Sequence, residues 1–260
     1  QEAHRQQERL KEMQEILRGK DEFISMVSHQ MRTPLIAVNW VLSMCLQGDF
    51  GRMSKKQRDI LTKAQSSIKE CTLLIQNLIN VAKVALGRFT VTLREISLGE
   101  LEVKLKELIE KFLPSAKAKE VTLFYTLSLD SSSRVRVDLD RLGQVVENLI
   151  ENALNYTFPE GEARVEVVND DLSLDIAVKD SGIGIPKGEQ SKIFSKFFRA
   201  SNAQKKQSSG SGIGLYLCKE FVKAHYGSIR FISQEGRGTT FTVSLPLVHG
   251  RETREIFSKM

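Results

Sequence analysis

A pair of asparagines, an aspartate ahead of two glycines, and a run of alternating glycines are the residues whose types and spacing suit chemistry on a charged ligand. Asn148 and Asn152 lie one helical turn apart in "NLIENALNYT", so their amides share one helix face, where they can ligate a hard cation and meet phosphate oxygens. Capping or bridging helices is the usual role of a lone Asn, but it fits a repeated pair in an apolar helix less well. Asp180 follows a strand-like run and precedes Gly182 and Gly184 in "DSGIGIP". The glycines let backbone approach a flat ligand, and the carboxylate can accept a hydrogen bond from an amino group; a simple turn is the alternative. Gly210, Gly212 and Gly214 stand before an apolar helix beginning near Leu215, where free N–H groups and the helix dipole suit phosphates. Residues 201–209, polar and carrying Lys205 and Lys206, read as a mobile lid or as a plain flexible loop.

One further residue type stands apart. His29 lies two residues from Val27 and two from Met31, so on a helix it points away from the apolar stripe and faces solvent. A lone exposed histidine ordinarily has no task. Pro34, however, interrupts the helix one turn later, leaves the Gln30 carbonyl unpaired and invites a bend that could move the imidazole.

The elements that position these residues fall into two textures. Residues 1–20 are helix formers with Leu10, Met13 and Leu17 spaced 3 and 4 apart, a linker or signalling helix, or else a solvated terminus. From Phe23, Ile24, Val27, Met31, Leu35, Val38, Leu42 and Cys45 form an amphipathic stripe ending near Gly48. Ser54 is an expected N-cap for a second helix with a heptad seam at Ile60, Ala64, Ser67, Cys71, Leu74, Leu78, Val81 and Ala85, closed by Gly87. Such a hairpin, residues 21–87, cannot hide its apolar face alone, and a homodimeric four-helix bundle is the economical solution.

Beyond it, residues 88–248 mix helices at 97–118, 140–157 and 212–225 with strands at 121–129, 134–138, 163–168, 172–179, 228–233 and 239–245. This order predicts an α/β sandwich with helices on one face of a mixed sheet, so the whole chain is α+β, with a tail at 249–260.

Bulk properties narrow the function. The net charge of +6 comes from Lys and Arg spread among Asp and Glu, which argues against nucleic acid and suits phosphate ligands or an acidic protein partner. Cys45, Cys71 and Cys218 are three, far apart and without CxxC spacing, so neither a disulfide nor a metal-thiolate site is expected. No apolar run approaches the roughly 20 residues of a membrane-spanning helix. The first residue is Gln1 rather than Met, and the chain reads as a cytoplasmic fragment whose upstream sensor or membrane part is missing.

The segment "FISMVSHQMRTPL" resembles the H-box of histidine kinases of the dimerisation and phosphotransfer type. Downstream, "NLIENALNYT", "DSGIGIP", "IFSKFFRA", "GSGIGLYL" and "EGRGTTFTV" resemble the N, G1, F, G2 and G3 boxes of the same family, in order, so the likeness runs from about residue 21 to 247. Any one glycine motif is weak, but the ordered set is not. The resemblance implies a Bergerat-type ATP-binding domain, Mg²⁺ on Asn152, adenine on Asp180, and nucleotide contacts from Asn148, Tyr156, Gly182, Gly184, Gly210, Gly212, Gly214, Leu215 and Thr239. It further implies autophosphorylation of His29 with Arg199 as a stabilising cation, and transfer to an aspartate of a response-regulator receiver domain. Gyrase-like and chaperone ATPases of this fold place a glutamate where this chain has Asn148, and an amide is not a general base. A gyrase-like ATPase and a catalytically weak ATP-binding scaffold are the rival readings.

Two departures from the family stand out. Gln30 occupies the position after the histidine that commonly carries Asp or Glu, which predicts slower autophosphorylation and leaves Thr33 as the remaining element of a phosphatase pair. Asn155 stands where a basic residue commonly precedes Tyr156, so a phosphate contact is lost or supplied from elsewhere.

Overall fold

The structure is a computed structural model that describes residues 30–31, 33–207 and 210–248. His29, the linker helix expected at 1–20 and the tail at 249–260 lie outside the described residues. The chain divides into two compact units, Gln1–Phe89 and Thr90–Met260.

In the first unit, helical residues 33–47 (α1) end at Gly48, whose φ of +93° suits a residue without Cβ. The second helix, Lys55–Ala85 (α2), starts with a reciprocal capping box: the Ser54 hydroxyl accepts from the Gln57 backbone N–H, and the Gln57 side chain accepts from the Ser54 backbone N–H. It ends in a Schellman turn, with Gly87 at φ +65° and the Arg88 N–H donating to the Lys83 carbonyl at 2.9 Å. Across the hairpin, the Gln65 amide donates to Ser43 Oγ at 3.0 Å and Arg58 donates to the Leu46 carbonyl at 2.9 Å. The half-buried or buried face of α2 is Leu61, Ala64, Ile68, Thr72, Ile75 and Ile79. Most of the heptad seam read from the sequence lies on another face: Ile60, Leu74 and Leu78 are 57%, 46% and 56% exposed, and Trp40 of α1 is 62% exposed. Periodicity marks both stripes as apolar but does not say which of them the hairpin itself consumes.

The second unit is a two-layer α/β structure. Strand Arg94–Ser97 (β1) pairs antiparallel with Arg134–Val137 (β3). The main sheet has the order β2-β4-β5-β7-β6, from Thr122–Ser128 (β2), Glu162–Asn169 (β4), Ser173–Asp180 (β5), Ser228–Gln234 (β6) and Gly238–Pro246 (β7). It is mixed: β2 runs parallel to β4, and the other neighbours are antiparallel. Alternation sends Val165 and Val167, Leu174 and Ile176, and Val243 and Leu245 to one buried face. Against this unit's core lie Leu98–Glu110 (α3), Leu139–Tyr156 (α5) and Gly214–Ala224 (α7), with α5 burying Leu142, Val145, Val146, Leu149, Ile150, Ala153 and Leu154 at helical spacing. Burying each of these leucine, valine and isoleucine side chains stabilises by about 1.5–3 kcal/mol.

Two stretches differ from expectation. The helix expected over 97–118 breaks into α3 and Leu113–Ala118 (α4), because Pro114 cannot donate the hydrogen bond that would continue α3 and instead suits the first turn of α4. The lid stretch begins with a helix, Ser201–Lys206 (α6), whose first amide donates to Glu189 Oε2 at 2.8 Å.

Candidate functional site

Helix α5 carries Asn148, Asn152 and Tyr156 at four-residue steps on one face, and it starts at the N-cap Asp138, which accepts from the Arg141 backbone N–H at 3.1 Å. The Asn152 amide N–H donates to Asn148 Oδ1 at 3.1 Å, which leaves Asn152 Oδ1 as the oxygen free of any hydrogen bond from a described residue. A hard cation takes such an oxygen. Among the described residues no group of three His, Cys, Asp or Glu could hold a metal, so a cation here would share Asn152 with oxygens of the ligand.

Helix α7 begins directly against this pair. A Cβ on Gly214 would meet Asn148 Nδ2 at 2.2 Å, so only glycine lets the two helices close at this point. No side chain caps the N-terminus of α7, which leaves its first N–H groups for a ligand. Leu215 stands in that first turn, and Gly212, at φ +67°, passes so close to Phe197 that a Cβ would fall 2.6 Å from its carbonyl carbon. Beneath the pair lies Cys218, buried, with Sγ 3.6 Å from Asn148 Oδ1 and its thiol pushed up to about 12 by desolvation.

Asp180 closes β5, and its carboxylate is held by backbone. Oδ1 accepts from the Gly182 N–H at 2.8 Å and the Thr239 N–H at 3.2 Å, while no described residue donates to Oδ2. The residue is only 8% exposed, and burial raises its pKa to about 6 against the two backbone donors, which lower it. Gly182 is required: a Cβ there would lie 2.3 Å from the Tyr156 carbonyl oxygen, so the turn after β5 and the end of α5 touch through backbone. Gly184, at φ +60°, makes a similar approach to the Gln234 carbonyl. The structure therefore gathers Asn148, Asn152, Tyr156, Asp180, Gly182, Gly214 and Thr239 around the ends of α5, β5, β7 and α7.

Residues 137–249 match the family described as "Histidine kinase-, DNA gyrase B-, and HSP90-like ATPase", and residues 19–87 match the "His Kinase A (phospho-acceptor) domain". The chain belongs to the histidine kinase family. It is 34% identical over 230 residues to the circadian input-output histidine kinase CikA of Synechococcus elongatus, covering 88% of this chain and 30% of that protein. It is 32% identical over 244 residues to the sensor histidine kinase WalK of Bacillus subtilis, covering 93% of this chain and 39% of that protein. The chain thus spans well under half the length of these two curated relatives. Among solved structures, full-length ShkA in complex with AMPPNP superposes with a TM-score of 0.68 at 23% identity, over 88% of this chain and 46% of that one, a likeness of fold.

Within the kinase core, Arg199 donates to the Ala203 carbonyl at 3.5 Å and to the Gln207 carbonyl, and its Cζ lies 3.2 Å from where a Cβ on Gly210 would stand. This ties the F and G2 stretches together. Gln30 and Thr33 are helical and exposed, among the first described residues. Two lysines of the ATP-binding unit make contacts that the sequence did not reveal. Lys119, just past α4, donates to Asn155 Oδ1 at 2.9 Å, bringing an ammonium to the position that lacks its own basic residue. Lys206, at the end of α6, donates to the Tyr156 and Thr157 carbonyls at 3.1 and 2.6 Å and lies 4.0 Å over the Phe158 ring. Burial lowers its pKa, and the nearby Asp180 carboxylate opposes that shift. Lys206 was visible only as part of a polar run; Lys119 gave no local signal, because its partner is 36 residues away.

Proposed function

We propose that the chain autophosphorylates His29 with ATP and passes the phosphoryl group to an aspartate of a response-regulator receiver domain. The observation that carries this reading is the amide at position 148: it is packed between Asn152 and Gly214, where an ATPase of this fold would need a carboxylate to activate water. The site is therefore suited to hold ATP for transfer to a side chain. A His29 ring nitrogen forms the new N–P bond as the bond from the γ-phosphorus to the bridging oxygen breaks, with ADP as leaving group. Bound Mg²⁺, ligated by Asn152, would neutralise charge on the phosphates. Asp180 orients adenine through Oδ2, the uncapped α7 terminus receives phosphate, and Arg199 and Lys206 supply cations around the site.

The remaining assignments follow the same reading. Residues 21–87 form the phosphoacceptor hairpin and homodimerise through the exposed stripe at Ile60, Leu74 and Leu78. Residues 88–248 bind ATP, 1–20 form a linker helix and 249–260 a tail. The core works in the cytoplasm, as part of a longer protein with a sensor or membrane portion. Gln30 slows autophosphorylation, and Thr33 is left as the one member of the phosphatase pair. The deciding experiment is incubation with γ-labelled ATP: label on the unmodified chain, acid-labile and absent from His29→Ala, is the expected result. Sustained ATP hydrolysis with no phosphohistidine would overturn the reading in favour of an ATPase.

A further inference from the structure

Each carboxylate oxygen of Asp138 accepts a hydrogen bond, and one of the two reaches outside helix α5. Oδ1 caps the helix through the Arg141 N–H, while Oδ2 accepts from the Thr92 backbone N–H at 2.8 Å, across 46 residues of sequence. Thr92 lies just before β1, whose first residue, Arg94, pairs with Val137 at the end of β3. The Asp138 carboxylate therefore prolongs this short ladder toward the hairpin with a charge-assisted hydrogen bond. The Asp138 backbone is fixed in turn: its N–H donates to His225 Nε2 at 3.0 Å, and His225, 2% exposed at the end of α7, places Nδ1 2.7 Å from the Phe221 carbonyl. A second tie crosses the same joint, with the Arg141 guanidinium 5.3 Å over the Phe221 ring. The helices so joined are α5, which carries Asn148 and Asn152, and α7, which begins at Gly214.

Taking the kinase activity proposed above as given, we propose that Asp138, held by His225, is a positioning residue that clamps the connecting segment at Thr92 and thereby sets the rate of phosphoryl transfer without binding nucleotide. The connection between the helix-ending Gly87 and the ATP-binding unit is shortened by this clamp. A tethered donor reaches its acceptor faster when the tether is short and fixed in direction, because effective concentration falls with tether length. Releasing Thr92 lengthens the tether while leaving the nucleotide site intact.

Two variants separate the clamp from the helix cap. Asp138→Asn keeps a strong N-cap through its carbonyl oxygen but turns an NH₂ group toward the Thr92 N–H, donor against donor. Thr92→Pro removes the N–H and fixes φ at that residue, with the Asp138 side chain untouched. On the full 260-residue chain, Mg·ADP affinity by calorimetry should stay within about twofold in both variants, while phosphohistidine formation in a single turnover at saturating ATP should slow about tenfold. Amide exchange over residues 90–93 should accelerate about tenfold in Asp138→Asn. Affinity and rate falling together, or an unchanged rate in both variants, would overturn the proposal. If the unmodified chain forms no phosphohistidine, the kinase reading fails by itself. Exchange at residues 90–93 then still judges the clamp: acceleration in Asp138→Asn supports it, and unchanged protection removes it.

Discussion

Asp180 is buried and yet has one oxygen without a hydrogen bond from any described residue, which makes its protonation state a measurable part of ligand binding. With its pKa raised from 3.8 to about 6, the folded chain holds this proton more tightly than the unfolded chain. Its contribution to stability is therefore complete below the unfolded value and is lost as pH rises through about 6. Nucleotide affinity runs the other way, because a protonated Oδ2 can no longer accept from an adenine amino group. Calorimetric titration with Mg·ADP should show affinity falling as pH drops through about 6, and Asp180→Asn should abolish that dependence and cost about 1–3 kcal/mol at neutral pH. A pH-independent affinity in the unmodified chain would refute this role. Gly214 offers a sharper steric test. Gly214→Ala puts a methyl 2.2 Å from Asn148 Nδ2, so the two helices must part; a stability loss of about 1–3 kcal/mol in denaturant melts and a matching loss of nucleotide affinity are expected. Gly236→Ala, where nothing lies within 4 Å, is the steric control, with its own φ of +76° as the remaining strain.

At the scale of elements, α2 displays two apolar stripes. Leu74→Glu with Leu78→Glu places charge on the exposed one, and sedimentation should then report monomers, with helical content by circular dichroism nearly unchanged. Retained dimers would show that the homodimer uses another surface. This helix also shows how far sequence carries. Its start at Ser54 and stop at Gly87 were legible because capping is local chemistry. Which stripe faces α1 was not legible, because both repeat at helical spacing and only the turn at 48–54 decides between them. The same division holds at the nucleotide site. Asn148, Asn152 and Asp180 announce themselves within short motifs, and the glycines around them mark close backbone approach. Lys119, Lys206 and the Thr92–Asp138 bond join residues dozens of positions apart, and no local pattern encodes such meetings. Strand β1 went unread for a related reason: its four residues become a strand only because β3 is there to pair with them.

Over the whole molecule, the three cysteines differ in access: Cys71 is exposed, Cys45 half-buried, and Cys218, on α7, buried against the Asn148 amide. A thiol pushed up to about 12 and shut from solvent does not react with a disulfide reagent until the surrounding helices separate. Cys218 is thus a built-in stopwatch for the opening of the ATP-binding unit. A ligand held by both α5 and α7 opposes the separation that would expose the thiol. Saturating Mg·ADP should lengthen the labelling half-life of Cys218 by tenfold or more, because binding stabilises the closed unit, and an unchanged half-life would refute this. Native chemistry alone, without any introduced probe, would then record when the two helices breathe and when the nucleotide holds them still.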